Sequence, residues 1–122
     1  MKRLASVALA GIVVLAPLPA VAVDPLYQPQ MERLSEILGG LYMLSPLCGD
    51  TTTDWRMQMA DLMERDEPED DRRARLAGAF NAGYEAYARF YQSCTPSAET
   101  AISRLLHEGE ALSRDIHQRY AE

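Results

Sequence analysis

Two cysteines constrain this chain most, because each closes an apolar stripe of helical period. Over 72–94, RRARLAGAFNAGYEAYARFYQSC, one helix side read at about 100° per residue collects Leu76, Phe80, Gly83, Tyr84, Tyr87, Tyr91 and Cys94. A second stripe of Met31, Leu34, Leu38, Leu41 and Leu44 ends in Cys48, with Ile37 beside it. Joining the two sulfurs would lay these helices side by side, running parallel. The alternative is a redox-active pair. Catalytic thiols usually sit in close motifs such as C-x-x-C with a lowered pKa, whereas 45 residues intervene here. A structural disulfide is the favoured reading if the chain is exported.

Export is what the first residues predict. Lys2 and Arg3 precede an apolar run from Leu4 to Ala16, and Ala20-Val21-Ala22 has the small-x-small form of a cleavage site. A run of 13 residues is too short to span a bilayer, which takes about 20, and Pro17 and Pro19 break it. Residues 1–22 therefore read as a signal peptide and 23–122 as one mature domain without a membrane span, placed in the periplasm. Loss of Lys2 and Arg3 leaves 10 basic and 18 acidic residues, a net charge of −8, and every remaining basic residue is arginine. Such a balance argues against nucleic acid, whose binding rests on neutralised phosphates, and against an anionic membrane surface.

The mature sequence predicts an all-α, four-helix bundle-like domain with helices over about 29–47, 54–65, 68–93 and 96–120. Pro29, Pro68 and Pro96 suit first helical turns, Gly49 a C-terminal stop and Thr95 a cap. Acid-before-arginine pairs four apart, six of them from Asp61/Arg65 to Asp115/Arg119, mark solvent-facing sides. Gly39 and Gly40 lie mid-helix, where each costs about 1 kcal/mol relative to alanine. Gly40 stands 8 residues before Cys48 and Gly83 stands 11 before Cys94, so they fall at similar heights. They are expected to let the two backbones approach closely, and Gly83→Leu would then cost about 1 kcal/mol or more. The plainer alternative is that the glycines are merely tolerated.

Candidate chemistry is sparse. Tyr84, Tyr87 and Tyr91 would line a ligand pocket or, more ordinarily, pack in core or interface with their hydroxyls at the rim. The Trp55/Met59/Met63 face suits core packing better than a partner helix or a soft metal. His107 and His117 are not on one face and complete no zinc pattern, so neither metal nor cofactor is expected. Mature lysine is absent, no phosphate loop occurs and no serine sits in a nucleophile elbow, so nothing argues for an enzyme. The seam of the fourth helix continues through Leu112, Ile116 and Tyr120, beyond what a short second helix can cover. Two readings follow: an interaction or structural module of the envelope, docking a partner or a second copy, and a carrier using the tyrosine face.

LSEILGGLYMLSPLCG, the following W-R-x-x-M, and RRARLAGAFNAGYEAYARFYQSCTPSAETAISRLLHEG resemble a family of small exported alphaproteobacterial proteins of uncharacterised function. The similarity covers roughly residues 26–110. It rests on L-G-x-L and L-C-G in the first helix, F-N-x-G-Y at Phe80–Tyr84, and S-C-T at Ser93–Thr95. The resemblance implies a signal peptide, a helical domain and a Cys48–Cys94 pair, and it implies no activity. Within F-N-x-G-Y, Asn81 falls at the flank of the apolar arc, placed to hydrogen-bond another helix or a ligand.

Overall fold

The structure, a computed structural model, describes residues 5–16 and 23–120. It holds four helices, α1 (Gln28–Leu47), α2 (Trp55–Asp66), α3 (Asp70–Ala88) and α4 (Pro96–Tyr120), and no strand among the described residues. Residues 5–16 are irregular and exposed, and the expected cleavage point after Ala22 lies outside the described residues. No described helix is long and apolar enough to cross a membrane.

Of the two apolar stripes that end in cysteine, the structure is built around the first along the chain, α1. That helix is apolar or small on nearly its whole circumference, with Met31, Leu34, Ile37, Leu38, Leu41 and Leu44 all buried. A helix of this kind must be covered on all sides. The other three helices each pack on it and only marginally on one another. α3 runs parallel to α1: Arg72 meets Gln28 at one end and Cys94 bonds Cys48 at the other. α4 runs antiparallel, pairing Asp115 with Gln30 and Glu108 with Arg33. α2 is antiparallel too, with Trp55 donating to Ser45 Oγ (3.1 Å) and Asp66 accepting from Tyr27 (2.6 Å). The two buried serines are thereby satisfied, since Ser35 donates to the Met31 carbonyl at 2.8 Å.

Three helices begin and end within a residue of their expected bounds, while α3 is shorter at both ends. Glu67 takes a left-handed φ of 47° and Glu69 is extended, so Pro68 sits buried in the turn instead of in a first helical turn. At the far end the amides of Phe90 and Tyr91 both turn back to the Tyr87 carbonyl, and the helix closes at Ala88. Register explains this. Counted from Gly39 and Gly83, Cys94 is two positions further along its chain than Cys48, so an unbroken α3 would carry it about 3 Å too far. The chain turns back on itself after Ala88, which absorbs the excess and sets the two Cα atoms 4.9 Å apart.

Gly39 and Gly83 face one another reciprocally across α1 and α3. A Cβ added to Gly83 would overlap the Glu36 carbonyl, lying 2.7 Å from its carbon, and one on Gly39 would lie 2.8 Å from the carbonyl carbon of Phe80. Each glycine thus opposes the carbonyl three residues before the other, and only a hydrogen fits between. Gly40 is different in kind, its neighbours being the side-chain tips of Leu105 and Tyr87.

Candidate functional site

The buried faces leave three features at which the molecule could engage something: a polar node, a crevice and a groove. The node gathers at the start of α1. Arg72 donates through Nε to Gln28 Oε1 (2.8 Å) and through a terminal nitrogen to Asp66 (2.5 Å), both side chains of the ion pair being under a tenth exposed. Asp66 also accepts from the Tyr27 hydroxyl, and the Arg72 guanidinium lies 5.8 Å from the centre of the Tyr27 ring. Both Asp66 oxygens and two of the three Arg72 nitrogens thus have partners, which makes the buried pair tolerable, while Gln28 Nε2 is buried without one. Next to it Arg75 clasps Asp24, fastening the lead-in segment to α3 and holding the Asp24 carboxyl below its usual range.

The hydrogen bond to Asp66, then burial, raises the Tyr27 phenol above its usual value of 10.0. A raised acid keeps its proton longer in the folded protein than in the unfolded one. Its stabilising contribution is therefore whole below about pH 10 and falls away as pH climbs through the higher folded value. Tyr27→Phe is expected to cost about 1–2 kcal/mol at neutral pH, as befits a bond to a charged acceptor. It should also remove one component of the alkaline loss, read from urea unfolding at neutral pH and above pH 10.

A crevice runs between α2 and α4 over α1. Its two stretches, each about 490 Å³, share Leu34, Leu38, Gln58 and Ser113. Leu62 and Ile116 wall one end, which Tyr27 and Tyr120 close with ring centres 5.5 Å apart; Trp55 and Leu106 flank the other. The floor, Leu34, Ile37, Leu38 and Leu41, is already buried, so the borders supply most of the reachable surface. Asp61, Arg65, Glu110 and His117 supply a polar border.

The groove lies between α2 and α3 and measures about 480 Å³. Tyr42 of α1 inserts between the successive rings of Phe80 and Tyr84, each centre 5.7 Å from its own. Met59 and Met63 form the opposite wall, with Arg56 and Asn81 on the borders. Tyr42 and Tyr84 remain 36% and 39% exposed, enough ring face for a ligand to touch.

The sequence-predicted residues divide between these features. Tyr84 and Asn81 line the aromatic groove, whereas Tyr87 and Tyr91 stack on each other (6.3 Å) and pack toward Leu41, Leu44 and Leu105. The three tyrosines therefore do not form one wall. Tyr91 stands in the turn after α3, and Phe90 beside it is 80% exposed. Of the fourth-helix seam, Ile116 and Tyr120 border the crevice and Leu112 packs on the core. Sequence reasoning missed Arg72, Gln28, Asp66 and Tyr42. Arg72 was within reach, since it stands four residues before Leu76 on the same stripe.

No curated protein and no solved structure matches the chain. Residues 26–120 match the model of DUF2385, a protein family of unknown function, which takes in all four helices and both cysteines. The chain belongs to that family.

Proposed function

We propose that the mature protein is a non-enzymatic periplasmic interaction module, docking an amphipathic segment of an envelope protein across the α2–α4 crevice. The observation carrying this reading is the crevice itself. Beside it lie Leu106, 43% exposed, and partly buried Leu62 and Ile116, apolar surface that no part of the fold covers completely. Narrow clefts beside apolar borders suit a partner that inserts one or two anchoring side chains while its backbone stays outside. A mature charge of −8 favours a segment whose polar face is basic, with an association rate that falls as salt rises. The disulfide is compatible with an oxidising compartment.

Cross-linking tests the reading. A photoreactive residue at Gln58 should capture an envelope protein, and Ser113→Arg, which blocks the crevice from an exposed site, should abolish capture without lowering thermal stability. Tyr84→Ala, in the other groove, should leave it unchanged. Capture indifferent to Ser113→Arg would remove the crevice from the argument, and a product made of two copies of this chain would replace the envelope partner.

A further inference from the structure

We infer that the α2–α3 groove is a separate binding site, which takes a small planar aromatic carboxylate. Three aromatic rings from two helices meet there, two thioethers face them, and the borders carry one cation and one amide. Aromatic faces and methionine sulfur favour a flat, polarisable ligand over a branched aliphatic one. Arg56, like Arg65, Arg73, Arg89 and Arg104, forms no ion pair among the described residues, and of these it alone borders the groove. Its charge is therefore available at the border of an apolar slot, where a carboxylate gains a charge-assisted bond while its ring stays in the groove. Asn81 offers both a donor and an acceptor on the opposite helix.

The motif F-N-x-G-Y then acquires a single meaning. Phe80 and Tyr84 supply ring faces, Asn81 a polar contact, and Gly83 the close approach to α1 that brings Tyr42 between the rings. The groove volume lies within the usual range for small-molecule sites of about 300–1,000 Å³. It would hold one or two fused rings.

The test uses oxidised protein expressed from the full chain, titrated with 2-naphthoate in physiological salt and followed by NMR. At about 0.3 kcal/mol per heavy atom, a probe of this size should saturate with a dissociation constant of about 1 mM or tighter. Shifts should concentrate on Tyr42, Met59, Met63, Phe80, Asn81 and Tyr84. Arg56→Gln, an exposed substitution, should weaken binding about tenfold, and 2-naphthamide, which lacks the charge, should bind the parent as weakly as 2-naphthoate binds Arg56→Gln. Ala77→Trp, from the exposed border, should fill the slot and abolish binding while the fold persists. Absence of saturation up to about ten times that concentration, or shifts centred on the α2–α4 crevice, would overturn the site. Equal affinity of the parent and Arg56→Gln would overturn its preference for a carboxylate. Decanoate binding as tightly as 2-naphthoate would overturn the assignment to aromatic ligands.

Discussion

Gly83→Ala is expected to lower the melting temperature of the oxidised protein by about 10 °C, while Gly78→Ala, five residues earlier on the same helix, raises it. Both substitutions improve intrinsic helix propensity by up to about 1 kcal/mol. At Gly78 nothing lies within 4 Å of the new methyl, so that gain stands alone. At Gly83 the methyl meets the backbone of Glu36, which cannot rotate away, and α1 and α3 must separate along their whole contact. Overpacking of this sort costs about 1–3 kcal/mol or more, and spreading the helices that carry most of the core belongs at the upper end. The net loss is then about 2 kcal/mol, and each kilocalorie is worth about 4–8 °C in a domain of this size. Gly39→Ala should behave the same way. The double substitution should cost less than the two singles together, because the first methyl already opens the space for the second. Gly40→Ala should be milder, meeting only the tips of Leu105 and Tyr87, each 2.9 Å from the new carbon. Thermal unfolding followed by circular dichroism measures all five. A Gly83→Ala protein that melts with the parent would show that the two backbones do not touch.

The same glycines show how much of this molecule the sequence discloses. The apolar stripes, caps and prolines carried enough information to count the helices and place most of their ends. Two cysteines, each closing an apolar stripe in an exported-looking chain, were enough to pair them. What periodicity cannot disclose is which helix lies in the middle. The α1 stripe looked one-sided because glycine and serine count as weakly polar, yet Ser35, Gly39, Gly40 and Ser45 are buried as fully as the leucines. Small residues mark where another backbone comes near, and a hydrophobic stripe does not report them. The charge pattern misled in the opposite direction. Arg72 sits in a run of arginines and acids that reads as solvated surface, whereas it is 5% exposed and ties α1, α2 and α3 together through Gln28 and Asp66. Among the spacings read as helix-supporting pairs, those of Asp71, Glu110 and Asp115 close into ion pairs at 3.0, 2.6 and 2.8 Å. The aromatic groove was half legible. Phe80, Asn81 and Tyr84 share a motif, but Tyr42 comes from the outer edge of another helix, and the contact follows only from the α1–α3 register.

Replacing both cysteines with alanine is expected to destabilise the domain by about 4 kcal/mol, the chain-entropy value for a closed loop of about 47 residues. A domain of this size has only about 5–15 kcal/mol in total, so the variant should lose a large part of its margin at 37 °C. The bond's position sharpens the expectation. It joins α1 to the one segment of the α3–α4 connection that is neither helical nor deeply buried, residues 89–95. The close contact at Gly39 and Gly83 lies well inside the helices and should survive opening of the bond. Amide hydrogen exchange should therefore accelerate first from Phe90 through Ala98, where Thr95 caps α4 by accepting from the Ala98 amide at 3.1 Å. Amides around Leu41 and Gly83 should lag behind, exchanging only at the reduced global stability. Urea unfolding should show a lower midpoint and a steeper slope, because the unfolded chain freed of its cross-link is more expanded and exposes more surface. Parent protein reduced and thiol-blocked should reproduce the variant's exchange pattern. A loss below about 1 kcal/mol would mean that glycine-mediated packing alone fixes the two helix ends, and that the sulfur bridge merely records a proximity already enforced.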